Sequence, residues 1–182
     1  MSPINYEEVK SVIERSGSVN NFQIFCETGT FRGYTVENIL PYFSKVYSIE
    51  LNEDFYMYCK SKFKNQPKVT ILHGDSSIVL DEINFNQPTV FFLDGHWSGY
   101  DTAKGTKDCP LLEELEIINK NAKCETLIII DDSRLFGKNS LYQSDYPDWT
   151  EITVDNILNI LKDRNVYYED VEDRFSILLK KI

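Results

Sequence analysis

The stretch Glu27-Thr28-Gly29-Thr30-Phe31-Arg32-Gly33 is the strongest indication of the fold, because it joins a short apolar run at residues 22–26 to a helical pattern. A glycine at position 29 allows a tight turn with positive φ, and Gly33 allows a close backbone approach where the helix begins. Such a turn is typical of α/β domains that bind a cofactor at the carboxyl end of the first strand. Two glycines alone fit a purely structural turn equally well, so the choice between a structural turn and a cofactor-binding turn depends on the rest of the chain.

On both sides of this stretch, strand-like apolar runs alternate with helical segments. The strand-like runs cover residues 22–26, 46–51, 69–72, 89–93 and 127–130, the helical segments cover 35–43, 53–63, 77–85, 111–119 and 150–163, and an additional helix follows an Asn5 cap. Two last runs, 166–171 and 175–179, flank a short acidic turn. The alternation predicts a parallel sheet with right-handed crossovers. We therefore predict one Rossmann-like α/β domain over residues 1–182, with a seven-stranded, mostly parallel sheet, helices on both faces and a C-terminal antiparallel hairpin.

The composition excludes several functional classes. The chain of 182 residues carries 29 acidic and 19 basic side chains, for a net charge of −10. Nucleic-acid binding draws much of its affinity from Lys and Arg, so no nucleic-acid partner is expected. No apolar run or signal-peptide pattern points to a membrane, and four scattered cysteines fit reduced thiols in the cytoplasm. A homodimer stays open.

Glu50 strengthens the cofactor interpretation of the first turn. It ends the second strand-like run, 21 residues beyond Gly29, where an acidic side chain can accept hydrogen bonds from both ribose hydroxyls. Two cofactors fit this layout, namely NAD and S-adenosylmethionine. A pyrophosphate favours bare amides at a helix N-terminus, whereas the ammonium and sulfonium of S-adenosylmethionine favour a carboxylate such as that of Glu27. The sequence therefore favours the methyl donor.

Three motifs resemble those of class I methyltransferases: Glu27-x-Gly29-x-x-x-Gly33, then Glu50, then Gly74-Asp75-Ser76. The resemblance implies that Glu27 and Gly29 line the methionine part of the donor. It also implies that Glu50 holds the ribose and that Asp75 and Ser76 border the adenine. We add Thr30 and Gly33, from the same turn, and Asp94, after the fourth strand, to the predicted cofactor contacts. Asp75 and Ser76 would also serve as a helix N-cap, and both readings can hold together.

Acidic residues follow the fourth and fifth strands. Asp94 follows the run 89–93, and Asp131 and Asp132 follow the run 127–130. Neighbouring strand ends should bring these three carboxylates together, and their mutual repulsion favours a bound cation. Oxygen ligands suit Mg²⁺. The plainer interpretation is that one or two of these acids cap helices or turns.

This part of the chain resembles divalent-metal-dependent O-methyltransferases of the catechol and macrocin types. Catechol O-methyltransferase has a Phe-Leu-Asp-His-Trp stretch, and here one glycine is inserted to give Phe92-Leu93-Asp94-Gly95-His96-Trp97. The resemblance implies metal ligands at Asp94, Asp131 and Asp132. Where the catechol enzyme has a catalytic lysine after the Trp, this chain has Ser98, so the candidate bases are His96, Lys104 and Lys107.

Two segments after strands could contact the methyl acceptor. Residues 98–108 contain two glycines and two lysines and could form a lid, or simply an exposed loop. Residues 133–149 carry aromatic and basic side chains, among them Tyr142, Tyr146 and Trp149, of the kind that bind sugar rings or pack a surface loop. A small-molecule or saccharide hydroxyl is the preferred acceptor.

Two alternative functions remain at this stage. One is an NAD-dependent oxidoreductase, although no Tyr-x-x-x-Lys pair follows the fourth strand to protonate a carbonyl. The other is a cofactor-binding module without catalytic activity. Acids kept at two strand ends argue against the second, because a protein without activity has no need of mutually repelling charges.

Overall fold

The computed structural model describes residues 3–97, 103–138 and 148–182. Its helices are α1 (Tyr6–Ser16), α2 (Tyr34–Ile39), α3 (Glu53–Lys62), α4 (Ser76–Val79), α5 (Leu111–Asn121) and α6 (Val154–Ile160). Its strands are β1 (Ile24–Thr28), β2 (Lys45–Glu50), β3 (Val69–His73), β4 (Thr89–Leu93), β5 (Thr126–Asp131), β6 (Asn165–Val171) and β7 (Arg174–Leu179). Short 3₁₀ turns at Leu80–Glu82 and Ser133–Leu135 follow α4 and β5.

The seven strands form one sheet in the order β3-β2-β1-β4-β5-β7-β6. Strands β1 to β5 pair in parallel, and β7 pairs antiparallel with both β5 and β6. Glu172 and Asp173 join β6 to β7 with φ angles of 53° and 66°, which is the left-handed geometry that a tight hairpin turn requires. The predicted fold class, including the C-terminal antiparallel hairpin, is therefore confirmed.

Two apolar clusters cover the two faces of the sheet. One cluster packs α1, α2 and α3 against one face through residues such as Val9, Val36 and Phe92. The other packs α5 and α6 against the opposite face through residues such as Leu115 and Ile157. Strands β1, β4 and β5 are buried along their whole length, as central strands covered by helices on both sides must be.

Several predicted element bounds move by a few residues. Strand β1 runs two residues further than its apolar pattern suggested, so Glu27 and Thr28 lie inside the sheet. Helix α2 ends at Ile39 rather than at residue 43, because Pro41 has no N–H and restricts the residue before it. Among the described residues, no helix is long and apolar enough to cross a membrane.

Candidate functional site

A cleft opens at the carboxyl ends of β1 to β4, where ligands bind in parallel α/β sheets. It is lined by Gly29, Phe31, Ile49, Glu50, Leu51, Phe55, Gly74, Asp75, Ser76, Asp94, Gly95, His96, Trp97, Ala103, Gly105, Lys107 and Pro110. Five of the predicted cofactor residues are in this set, namely Gly29, Glu50, Asp75, Ser76 and Asp94. We call this space the main cleft.

Gly29 lets β1 and β4 approach each other at the floor of the main cleft. Its φ is +83°, and a Cβ atom at this position would lie 2.3 Å from the backbone oxygen of Asp94. No L-amino acid with a side chain fits that space. Gly33, with φ +72°, is the N-cap of α2, and a Cβ there would lie 2.6 Å from the Phe63 ring. The positive φ and the close contacts require glycine at both positions, and of the two only Gly29 lines the main cleft.

Glu50 holds a fixed carboxylate at the edge of the main cleft. Its Oε2 accepts a hydrogen bond from the Phe31 amide at 2.6 Å, and its Oε1 accepts one from the Asn52 amide at 2.7 Å. Burial raises the pKa of Glu50, although these amides oppose the effect. Because both oxygens are anchored, the carboxylate has one orientation, and its remaining lone pairs can accept from a diol.

Asp75 caps α4 and also ties a loop to the cleft. Its Oδ1 accepts from the Ser77 amide and hydroxyl at 3.0 and 2.6 Å, and its Oδ2 accepts from the Thr106 amide and hydroxyl at 3.3 and 3.1 Å. Burial raises the pKa of Asp75, but the bonds from Ser77 and Thr106 outweigh it and leave the pKa below its usual value. The N-cap interpretation of Asp75 thus holds, and the loop contact adds a role that the sequence did not suggest.

Apolar side chains that the sequence analysis did not single out form a wall of the main cleft. Phe31 and Phe55 pack edge to face with ring centroids 4.6 Å apart, and Leu51 lies beside them in the lining. Phe31 has a φ of 49°, so its backbone is left-handed between two positive-φ glycines. The position of Phe31 inside the glycine motif is the sequence feature that indicates this wall.

A second pocket adjoins the main cleft and shares Gly29, Phe31 and Asp94 with it. Its remaining lining residues are Pro3, Thr30, Tyr34 and Thr35, so the predicted contact Thr30 lies here rather than in the main cleft. Glu27 lines neither space. Its carboxyl is 1% exposed and lies beneath the second pocket, where burial raises its pKa to about 8. The sequence argument that an ionised Glu27 faces the ligand is therefore not supported by its position.

Asp94, His96 and Asp132 form the candidate metal-binding group. One ligand atom from each lies within 4.8 Å of the others. His96 lies between the two acids, with Nδ1 3.5 Å from Asp94 Oδ1 and Nε2 3.1 Å from Asp132 Oδ2. Asp94 Oδ1 is buried with no hydrogen-bond partner in the described part of the chain, and burial with nearby acids raises the pKa of Asp94 well above its usual value. His96 by contrast keeps the pKa of Asp132 at about 2.

Asp131, the third metal ligand that the sequence analysis predicted, lies outside this group. Arg174 donates from Nε to Asp131 Oδ1 at 3.1 Å and also pairs with Glu8 of α1. The charge of Asp131 still contributes to the raised pKa of Asp94. Arg134 pairs with Asp132, so the acids at this edge are partly neutralised by protein cations. Repulsion between three bare carboxylates is thus weaker evidence for a metal than the sequence suggested.

The loop after β4 covers part of the main cleft. Lys104 pairs with Asp108 at 2.7 Å and lies over the Trp97 ring, 4.8 Å from its centroid, and Lys107 pairs with Glu113. Lys107 lines the main cleft and Lys104 does not. Both predicted bases in this loop therefore have acidic partners. Residues 98–102 of the predicted lid lie outside the described residues.

The segment after β5 places one aromatic ring against His96. Trp149 is 2% exposed, and its ring packs edge to face on His96 with centroids 5.0 Å apart. Phe136 stacks on the other side of Trp149 at 6.2 Å. Tyr142 and Tyr146, which the sequence suggested for a sugar pocket, lie outside the described residues. Trp149 is thus a packing residue next to the site rather than an exposed platform.

No protein-family model matches the sequence, and no curated protein matches it. Solved structures do match the fold. A Staphylococcus aureus protein assigned as a caffeoyl-CoA O-methyltransferase is 16% identical with a TM-score of 0.62, over 98% of this chain and 85% of that one. A Streptococcus mutans protein assigned as a methyltransferase, solved with SAH, is 14% identical with a TM-score of 0.57, over 98% and 99%. A Clostridium thermocellum protein assigned as an rRNA methylase is 12% identical with a TM-score of 0.61, over the whole of both chains.

The names of two of these proteins give different substrates, caffeoyl-CoA and rRNA, and the third name gives none, while the fold that they share is that of this chain. At such low identity the likeness concerns the fold alone, and the acceptor has to be argued from the site. The chain has the Rossmann-like fold of S-adenosylmethionine-dependent methyltransferases.

Proposed function

We propose that this protein is an S-adenosylmethionine-dependent O-methyltransferase that acts on a hydroxyl of a small molecule or saccharide with the help of a divalent cation. The observation that carries the donor assignment is Glu50. Its carboxylate is anchored by the Phe31 and Asn52 amides at the end of β2, beside the glycine turn that follows β1. A rigid acceptor pair at this place suits the two hydroxyls of a ribose.

The two adjoining spaces match the two parts of the donor. In the main cleft, the Phe31 and Phe55 rings and Leu51 offer an apolar wall for a purine next to Glu50. In the second pocket, the Thr30 and Thr35 hydroxyls offer hydrogen bonds for an amino acid. Because Gly29 and Asp94 belong to both spaces, a donor that occupies both carries its sulfonium near them.

Charge favours this donor over a dinucleotide. The described lining of the main cleft contains three acidic side chains, Glu50, Asp75 and Asp94, against one lysine, Lys107, which is paired with Glu113. The pKa of Asp94 is raised, but Glu50 and Asp75 outnumber the lysine even when Asp94 is protonated. A pyrophosphate would meet net negative charge there, whereas a sulfonium is attracted by it. This argument replaces the one based on Glu27, and it weighs against the NAD alternative.

The acceptor hydroxyl would meet Asp94, His96 and Asp132. These residues fit a divalent cation, because Asp94 Oδ1 is buried without a described partner and lies close to the other two ligand atoms. One nitrogen and two oxygen donors suit Mn²⁺ or Fe²⁺ at least as well as Mg²⁺, which prefers oxygen alone. When bound, such a cation lowers the pKa of a coordinated hydroxyl.

The protein's own residues would orient the acceptor and remove its proton. The main cleft and the edge of β5 place Asp94 and Asp132 on either side of His96, so an acceptor held there lies close to Gly29 and the expected methyl group. Holding the two reactants in line supplies much of the rate in a displacement of this kind. His96 and Asp94 would then both act as ligands, and the acceptor proton would pass to water.

A second mechanism has one specific observation in its favour. The 3.1 Å contact between His96 Nε2 and Asp132 Oδ2 is the arrangement by which a carboxylate orients a histidine that serves as a general base. In that case His96 would take the acceptor proton without a metal. The donor site is the same in both mechanisms.

Calorimetric titration tests the donor assignment. S-adenosylhomocysteine should bind with micromolar affinity, NADH should not bind, and Glu50→Ala should weaken binding by about 1–3 kcal/mol through loss of its hydrogen bonds to ribose. Glu82→Ala, an acidic residue whose side chain lies in the 3₁₀ turn after α4, is a matched control that should bind as the wild type does. Absence of heat with S-adenosylhomocysteine at high protein concentration refutes the proposal.

Mn²⁺ binding, followed by electron paramagnetic resonance, tests the metal group. Asp132→Asn should weaken Mn²⁺ binding at least about tenfold, because it removes a charged ligand. Asp131→Asn should have a smaller effect, since its carboxylate faces Arg174. Full methyl transfer to an acceptor in the presence of a chelator would exclude the cation and leave the His96 mechanism.

A further inference from the structure

The turn that follows β5 lies against the tip of the β6–β7 hairpin. The Ser133 amide donates to the backbone oxygen of Asp173 at 3.1 Å, and the Arg134 amide donates to Asp173 Oδ1 at 2.8 Å. The Ser133 hydroxyl also donates to Asp170 Oδ1 of β6 at 2.6 Å. Asp173 therefore accepts the first two amides of the 3₁₀ turn at Ser133–Leu135.

Asp132 precedes this turn, in the position from which an aspartate usually caps a helix. An N-cap carboxylate accepts hydrogen bonds from first-turn amides that have no partner within the helix. In the part of the chain that the structure describes, the Asp132 side chain accepts no such bond. Its Oδ2 lies 3.1 Å from His96 Nε2, and its Oδ1 pairs with the Arg134 guanidinium. The Arg134 amide, which Asp132 could cap, is held by Asp173 instead.

The sheet register brings Asp173 to this turn. Strands β5 and β7 are antiparallel, and Asp131, the last residue of β5, is paired with Arg174, the first residue of β7. The chain that leaves β5 therefore runs beside the two residues that join β6 to β7, which are Glu172 and Asp173. The contact is thus fixed by the hairpin, at the edge of the sheet where Asp132 faces His96.

We propose that Asp173 is a positioning residue for the candidate metal-binding group: it caps the turn after β5 in place of Asp132, and so leaves the Asp132 carboxylate free to face His96 and a bound cation. The inference rests on the proposed function, because it takes Asp94, His96 and Asp132 to bind a divalent cation. Without the Asp173 carboxylate, Asp132 can turn back and accept the Arg134 amide as an ordinary N-cap. A cation would then have to break that cap before it could bind, and its affinity would fall by the corresponding factor.

Mn²⁺ binding to paired hairpin variants, followed by electron paramagnetic resonance, tests this role. Asp173→Gly removes the carboxylate and suits the left-handed backbone at φ 66°. Glu172→Gly is the matched control, because it removes one acid from the same turn at φ 53°. Asp173→Gly should weaken Mn²⁺ binding about fivefold, the factor that a typical N-cap is worth, and Glu172→Gly should weaken it less than about twofold. S-adenosylhomocysteine should bind both variants as it binds the wild type, because its proposed contacts lie at other strand ends.

Asp173→Asn separates the cap from the ion pair that Asp173 forms with the Arg134 guanidinium. The asparagine oxygen can still accept the Arg134 amide, so Mn²⁺ binding should stay within about twofold of the wild type. A fivefold loss in this variant as well would mean that the ion pair acts and the cap does not, which overturns the proposal.

A crystal structure of Asp173→Gly without metal gives a second measurement. The Asp132 carboxylate should leave His96 and accept the Arg134 amide, and a carboxylate that stays on His96 would overturn the proposal. Equal losses of Mn²⁺ binding in the two glycine variants, or a parallel loss of S-adenosylhomocysteine binding in Asp173→Gly, would do the same. If Asp173→Gly does not fold, Asp173→Ala and Glu172→Ala replace the pair with the same expectations. A wild type that binds no Mn²⁺ refutes the cation of the proposed function, and the crystal structure then decides the role of Asp173 by itself.

Discussion

Glu114 offers a test of how the protein buries acids behind the cleft. This residue of α5 is 1% exposed, with the hydroxyls of Ser76 and Thr28 as its polar neighbours, and burial raises its pKa to about 7. The wild type therefore folds with Glu114 protonated at a pH where the unfolded chain has lost that proton. A folded state that holds more protons loses stability as the pH rises. The contribution of Glu114 to the free energy of unfolding should thus decrease progressively as the pH rises from 4.5 to about 7.

The size of the effect follows from the two pKa values. The interval between the ordinary value of 4.5 and about 7 corresponds to about 3 kcal/mol of unfolding free energy, as an upper limit. Glu114→Gln cannot titrate, so its stability relative to the wild type should rise across this interval by up to that amount. Any constant cost of the amide shifts the difference without changing its slope. Above pH 8 the difference should be flat.

Urea denaturation of both proteins between pH 4.5 and 8.5 measures this difference. The comparison isolates Glu114, because Glu27, with a pKa raised to about 8, titrates in both proteins. A difference in unfolding free energy that is independent of pH would refute the reasoning, since it would mean that Glu114 ionises normally in the folded protein. A rise of about 1 kcal/mol or more in the stability of Glu114→Gln relative to the wild type, between pH 4.5 and about 7, supports the reasoning.

Two further predictions concern backbone geometry at the main cleft. Gly29→Ala should destabilise the protein by more than about 3 kcal/mol in denaturant melts, because its Cβ would lie 2.3 Å from the Asp94 carbonyl, whereas Gly17→Ala, at φ +70° with open space around it, should cost only about 1 kcal/mol. Equal losses would contradict the close approach. Thr106→Val should raise amide exchange across residues 103–108 without affecting β4, because it removes one bond to Asp75, and unchanged exchange would show that this bond does not hold the loop.

The fold could be predicted from the sequence because its signals are local and repeated. Apolar runs of strand length alternate with helical patterns, and that order alone requires parallel strands with crossovers. The predicted bounds of the strands and helices were less accurate where polar residues are buried. Strand β1 continues through Glu27 and Thr28, which composition marks as surface residues, because Ser48 and neighbouring side chains give the Glu27 carboxyl partners inside the protein.

The donor side of the site was also accessible to sequence reasoning, since Gly29 and Glu50 follow strands and strand ends meet at one edge. What escaped it were contributions from elsewhere in the chain. Phe55 comes from the first turn of α3, and Thr106 comes from the loop after β4. Neither position carries a local pattern. Their roles depend on how α3 and that loop pack over the sheet, which only three-dimensional structure shows.

The acids after β5 show why adjacent residues in sequence need not serve one site. Successive side chains of a strand point to opposite faces, so Asp131, the last residue of β5, shares its face with Ile129 and meets Arg174 beside α1. Asp132 leaves the strand with a left-handed φ of 59°, and this turn directs its carboxylate to His96. The inserted Gly95 lies against Thr28 and Glu114, where a Cβ would be 3.0 and 3.1 Å from their oxygens, and it carries the chain from Asp94 to His96. Because of Gly95 and the left-handed Asp132, the group contains two acids and one imidazole instead of the three carboxylates expected from the sequence. This difference in donor atoms is the physical basis for expecting Mn²⁺ or Fe²⁺ to bind at least as well as Mg²⁺.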